Sequence, residues 1–269
     1  MEERIRVEIT DGVADVRLVR TDKMNALDDA MFQALIDTGE SLKTTPGLRA
    51  IVLSGEGRAF CAGLDMGNFA AMASGPRDRS GNSLLTPNRT PGGSNRAQHA
   101  VMVWREQVVP VIAAVHGVAF GGGFQLALGA DMRFVAPDTR MAILEIKWGL
   151  VPDMAGMVLL RTLLRDDVAR ELTYTGRIFD GEEAYRLGLA TRLCADPHAE
   201  AMAVAREIAS KCPTAIRGAK RLINFMAEAD QQAILLEESR EQGALIGGPN
   251  QVEAVMSNMQ KRPAVYPEA

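Results

Sequence analysis

The sequence predicts an α/β fold, and three observations carry that expectation. Two short runs, Ala50 to Leu53 and Val111 to Val115, are apolar throughout and bounded by turn residues, as strands covered on both faces are. Stretches of helical period lie between and after them. Glycine-rich segments stand where the strands give way to helices, so helices on both sides of a sheet are expected.

The elements follow in order. Ile5, Val7 and Ile9, then Val13, Val16 and Leu18, flank Asp11-Gly12 and read as an opening β-hairpin. Asp28 precedes a helical stretch with Met31, Leu35, Ile36 and Leu42 as its apolar stripe, ended by Pro46-Gly47. The buried run at Ala50 comes next. Ser74 to Asn95 is crowded with Gly, Pro, Ser, Asn and Arg, with Leu84-Leu85 as its main apolar pair. A structureless stretch of that length inside a compact domain is usually functional or disordered, and this one is expected to be mobile and to border the substrate pocket. A helix over Val101 to Trp104 and the buried run at Val111 follow. From Ala155 onward the chain reads as mainly helical, with stripes at Val158, Leu159 and Leu163 and at Ile216, Leu222, Ile223 and Met226.

Composition narrows the function classes. The 269 residues are 47% hydrophobic and 24% charged, which suits a folded globular chain. A net charge of -4 provides no basic field for nucleic acid or an anionic membrane. Cys61, Cys194 and Cys212 are odd in number and far apart, which suits a reducing, cytoplasmic setting and neither a disulfide framework nor a zinc site. The first residues do not read as a targeting peptide, and no apolar run is long enough to span a membrane. No metal or redox cofactor is expected, since the His, Cys and Asp residues do not cluster and the triple glycine is not the spaced dinucleotide fingerprint.

Two segments carry chemistry. In Val111 to Gln125 a buried strand reaches an apolar helix, Phe124 to Leu128, through Gly121-Gly122-Gly123, which lets a ligand approach bare backbone N–H groups at a helix start. Gly57-Arg-Ala-Phe-Cys-Ala-Gly-Leu-Asp65 follows the other buried strand and offers a second backbone donor to the same place. With Lys23-Met-Asn-Ala-Leu27, these motifs resemble, in order and over nearly the whole chain, the crotonase (enoyl-CoA hydratase/isomerase) superfamily.

The resemblance implies an α/β, crotonase-like ββα spiral core over residues 1–195 and a helical C-terminal trimerisation region over 196–269, assembled as a homotrimer or a dimer of trimers. It implies that the Leu64 and Gly122 N–H groups form an oxyanion hole. It also implies CoA contacts from Lys23, Asn25, Ala26, Ala62, Gly63, Leu64, Asp65, Gly121, Gly122 and Lys261. CoA would enter as part of an acyl thioester substrate, with no separate cofactor.

A typical hydratase of that family pairs two glutamates, and here the matching positions are Gln125 and Glu145. Gln125 can orient a water or ligand but cannot accept a proton. Asp153, eight residues past Glu145, matches an acid of the dienoyl-CoA isomerases. These residues favour double-bond isomerisation, with Glu145 as base, a dienolate held by the Leu64 and Gly122 N–H groups, and Asp153 or Glu145 returning the proton. Three alternatives stay open: an enoyl-CoA hydratase, a hydrolase or dehalogenase using Asp153, and a non-catalytic acyl-CoA-binding member. Of the histidines, His116 reads as structural and His99 as bordering the pocket. Trp104 and Trp148 read as core or as walls of the acyl pocket, and Arg77, Arg79, Arg89 and Arg96 either solvate the long loop or meet a carboxylated acyl chain.

Overall fold

The structure, a computed structural model, describes residues 3–67 and 88–267. The expected hairpin opens the chain. Strands β1 (Ile5–Thr10) and β2 (Val13–Leu18) pair antiparallel, from Ile5 opposite Leu18 to Thr10 opposite Val13. A 3-10 turn at Thr21–Lys23 leads to α1 (Asp29–Lys43), where N-cap Asp28 accepts a hydrogen bond from the Met31 N–H at 2.8 Å. Met31, Leu35 and Leu42 are buried as the stripe requires, and the helix stops at Lys43, ahead of Pro46-Gly47.

Next come β3 (Ala50–Gly55), α2 (Arg96–Arg105), β4 (Val111–Val115), β5 (Val118–Phe120), α3 (Gly122–Leu128), β6 (Met132–Val135) and β7 (Arg140–Ala142). The remaining elements are a 3-10 turn at Glu145–Trp148, α4 (Gly156–Leu160), α5 (Asp166–Thr175), α6 (Gly181–Leu187), β8 (Arg192–Leu193), α7 (Pro197–Ala209), α8 (Pro213–Met226), α9 (Gln231–Leu245) and α10 (Pro249–Met259). The main sheet has the order β1-β2-β3-β4-β6-β8 and is parallel from β2 onward, while β5 and β7 form a second, two-stranded parallel sheet.

The period-two alternation of the strands sorts their side chains into two cores. Ala14, Val16, Leu18, Ile51, Leu53, Val111, Ala113 and Val115 face the larger core, under α1, α2 and α3. Val13, Ala50, Val52, Ile112 and Ala114 face the other, covered by α7 through Ala201 and Ala205. Two alanines one helical turn apart let that helix sit close to the sheet. Both faces of β3 and β4 are thus covered, as their unbroken apolar runs predicted.

The second half departs from expectation in two ways. A strand, β8, interrupts the helical run; at two residues it is too short to carry a period. Val158, Ile223 and Met226 are exposed although their stripes are apolar, because periodicity marks a helix face without saying what covers it. The long loop predicted between Ser74 and Asn95, with Leu84, Leu85, Arg77 and Arg79, lies outside the described residues up to position 87. Its end is ordered by a capping box in which Asn95 and Gln98 cap α2 reciprocally at 2.9 Å. Among the described residues no helix is long and apolar enough to cross a membrane.

Candidate active site

The two expected loops leave the carboxyl ends of neighbouring parallel strands, where open α/β sheets place their ligands. β3 ends at Gly55 and β4 at Val115, and the segments beyond them run side by side. Cys61 bridges to Ala119, with the Cys61 N–H donating to Val118 O at 3.0 Å and the Phe120 N–H to Cys61 O at 3.2 Å. On its other side the first loop pairs with Leu27, whose N–H donates to Gly63 O at 2.8 Å and whose carbonyl accepts from Asp65 at 3.1 Å. In such a parallel bridge the middle residue, Leu64, turns its own N–H away from Leu27. Neither Leu64 nor Gly122 donates a backbone hydrogen bond to any acceptor among the described residues. Gly122 opens α3, so its N–H has no partner inside the helix.

Glycine is needed at two positions here. Gly63 has φ +88°, and a Cβ added to it would stand 2.5 Å from Phe120 O and 3.6 Å from Gly122 N, which also measures how close the two donor segments lie. Gly121 has φ +51°, and a Cβ there would meet the Glu145 carboxylate at 3.3 Å. The Glu145 carboxylate therefore rests against the turn that presents the Gly122 N–H.

Glu145 begins the 3-10 turn after β7. Its Oε1 accepts from Gln125 Nε2 at 2.6 Å, and its Oε2 is buried with no partner among the described residues. Burial raises its pKa, repulsion from Asp153 adds to the rise, and the Gln125 hydrogen bond opposes both. Asp153 is exposed as a residue, yet protein crowding around its carboxyl raises its pKa too. The structure thus brings Glu145, Asp153, Leu64, Gly121, Gly122 and Gln125 to one place.

Gln125 does not face open space. It is fully buried, its Oε1 accepting from the Met154 and Gly156 N–H groups at 2.9 Å each. Asn25 is likewise buried, its Nδ2 donating to Ala59 O at 2.9 Å and Glu56 O at 3.1 Å, so its side chain pins the loops together and does not line the site. Ala26, Ala62, Gly63 and Asp65 lie along these loops, and Lys23 is exposed at the end of the first 3-10 turn. Asp65 accepts from Arg20 at 2.6 Å and from the Gly67 N–H at 2.7 Å, which hold its pKa below the ordinary carboxylate range. Arg20 also donates to Ala26 O at 2.9 Å, clamping the two loops together. Sequence reasoning missed Arg20, whose partners are separated along the chain and leave no local pattern.

Several expectations are corrected by position. Pro263, Ala264 and Tyr266, just beyond Lys261, line a cavity of about 490 Å³ with Asp11, Gly12, Gly47 and Arg49, at the end of the sheet opposite the two loops. His99 lies inside α2 and pairs with Glu40 on α1 at 2.8 Å, so it does not border the site. His116 bonds Gly57 O at 2.9 Å and His198 bonds Asp15 at 3.0 Å, both structural uses. Trp104 is core, its Nε1 donating to Ala100 O, whereas Trp148 is partly exposed beside the Glu145 turn. Arg96 pairs with Asp29 on α1. Cys61 is an inert thiol, pushed by burial to about 12.

Known proteins resemble this chain over nearly its whole length. The family model for enoyl-CoA hydratase/isomerase matches residues 8–268. The chain is 28% identical to the mouse (Mus musculus) protein named methylglutaconyl-CoA hydratase, over 98% of this chain and 84% of that one. It is also 28% identical to the Arabidopsis thaliana protein named Delta(3,5)-Delta(2,4)-dienoyl-CoA isomerase, over 97% and 94%. An enoyl-CoA hydratase structure from Bacillus anthracis superposes with a TM-score of 0.88 at 26% identity, covering 98% of this chain and 99% of that one. The chain has the crotonase fold and belongs to the enoyl-CoA hydratase/isomerase family, as an enzyme of the hydratase/isomerase class.

Proposed function

We propose that this protein moves a double bond in an enoyl- or dienoyl-CoA, with the Leu64 and Gly122 N–H groups holding the thioester enolate. Glu145 removes a proton from the acyl chain, and Asp153 or Glu145 returns one at another carbon. The observation that carries the reading is the buried Glu145 carboxylate, one oxygen without a partner among the described residues, resting against Gly121 beside the Gly122 N–H. A base whose pKa is raised by burial is better matched to a weakly acidic carbon than an ordinary surface glutamate. Two backbone donors oppose the build-up of charge on the thioester oxygen, and losing one such donor typically costs about 3 kcal/mol of barrier.

The neutral Gln125 disfavours hydration by a glutamate pair, and repulsion between Asp153 and Glu145 supports a second acid near the first. The histidines offer no support to a hydrolase, since each is engaged elsewhere. CoA would lie along Lys23, Ala26 and Ala62 to Asp65, with the acyl end reaching Gly121 and Gly122. A homotrimer or a dimer of trimers built on the C-terminal helices, in the cytoplasm where CoA thioesters are handled, completes the reading.

The test is turnover of crotonyl-CoA, 3-hexenoyl-CoA and 3,5-dienoyl-CoA by the wild type, Glu145→Gln and Asp153→Asn. Isomerisation reduced about 10²- to 10⁴-fold in the Glu145 variant and clearly reduced in the Asp153 variant, with crotonyl-CoA barely hydrated, is the expected result. Rapid hydration of crotonyl-CoA indifferent to Asp153 would make the protein a hydratase. Full turnover by Glu145→Gln would end both readings.

A further inference from the structure

We infer that Gln125 is the positioning residue of this site: its amide ties the Glu145 carboxylate, the backbone just after Asp153 and α3 into one unit, and leaves Glu145 a single free oxygen. The inference rests on Glu145 being the base.

The amide hydrogen bonds run across three elements. Oε1 takes the Met154 and Gly156 N–H groups at 2.9 Å each, and Nε2 gives a proton to Glu145 Oε1 at 2.6 Å. The two backbone donors settle which end of the amide is oxygen, because a flipped amide would set N–H against N–H. Between those donors Ala155 has φ +67°, a conformation that strains a residue with a Cβ and persists where its surroundings over-determine it. A side chain at Gly156 would collide with the amide, since an added Cβ would stand 2.7 Å from Gln125 Oε1. Met154, which this arrangement places, also packs at Gly122, where an added Cβ would lie 2.8 Å from its sulfur.

The bond also divides the two oxygens of Glu145. Oε1 is occupied, so proton exchange with an acyl chain falls to Oε2, the buried oxygen without a partner among the described residues. Asp153 is a charged side chain that acts on Glu145, while Lys147 of the same turn sits over the Trp148 ring, 5.5 Å from its centre. The amide holds the base in line and opposes the rise in its pKa.

The experiment is the pH dependence of kcat and KM for Gln125→Met and Gln125→Glu, beside Glu145→Gln, on whichever acyl-CoA the wild type turns over best. Gln125→Met removes all three hydrogen bonds at similar volume. Its kcat is expected to fall about 100-fold with KM changed less than about threefold, and the acid limb of its profile moves to higher pH as the opposing donor is lost. In Gln125→Glu the new carboxylate still accepts from Met154 and Gly156, but beside Glu145 the two acids must share one proton. That proton restores the link, so kcat recovers on the acid side and falls again as pH rises, giving an alkaline limb the wild type lacks.

A Gln125→Met enzyme within about threefold of wild type with an unmoved acid limb would overturn the inference. So would a Gln125→Glu profile with no alkaline limb, and that variant decides alone if Gln125→Met does not fold. Loss of activity in Glu145→Gln alongside an unaffected Gln125→Met sinks only the positioning role; an active Glu145→Gln sinks the function reading itself.

Discussion

Burial raises the pKa of Glu145, with repulsion from Asp153 adding to it, so the folded chain favours the protonated acid more than the unfolded chain does. A carboxyl shifted in that direction contributes stability below its ordinary pKa, and the contribution is lost as pH rises through the raised folded value. At pH 8 the ionised base therefore weighs against folding, and a neutral isostere removes the burden. Glu145→Gln is expected to unfold at higher denaturant concentration than wild type at pH 8, the gain shrinking toward zero below about pH 4. A variant no more stable than wild type at pH 8 would contradict the burial argument. Glu145, Asp153 and Gln125 were legible as candidates because the ordered motifs placed them. The direction of the Gln125 amide was not, since it depends on Met154 and Gly156, about thirty residues away along the chain.

At the level of elements, the site exists because two loops after β3 and β4 lie against each other with nothing but backbone between them. Gly63 is the closest point of that contact, with φ +88° and Phe120 O where a side chain would begin. Gly63→Ala is expected to cost about 1–3 kcal/mol from the left-handed backbone and more from the collision, and to cut kcat at least tenfold by moving the Leu64 N–H. Chemical denaturation and steady-state kinetics on the same preparation check both, and an alanine variant of wild-type stability and rate would remove Gly63 from the argument. The hairpin, α1 and the two buried strands were readable because their periods and turn residues are local. β5, β7 and β8 were not, being three residues or fewer. The partners of the buried Asn25 and His99 side chains were not readable, because a polar residue near a motif reads alike whether it faces a ligand or pins a loop.

At the scale of the molecule, the C-terminal helices leave Ile223, Phe225, Met226, Leu235, Leu236 and Met259 exposed in a single chain. Apolar faces of that extent are unusual on a monomer and suit an interface. Light scattering behind size exclusion is expected to give a mass of three or six chains of 29.0 kDa, and a monomer at micromolar concentration would refute the assembly. The sequence by itself determined the α/β class, the two-sided burial of β3 and β4, the family and the acids on offer, because period, turn chemistry and ordered motifs are all properties of neighbours along the chain. Only the tertiary structure decided that the Leu64 and Gly122 N–H groups are left without an acceptor among the described residues, that Arg20 clamps Asp65 to the Ala26 loop, and that Glu145 keeps one oxygen without a partner among those residues. Those facts rest on contacts between residues distant in sequence, and hydrogen-bond partners at such range are chosen by packing, which no local pattern encodes.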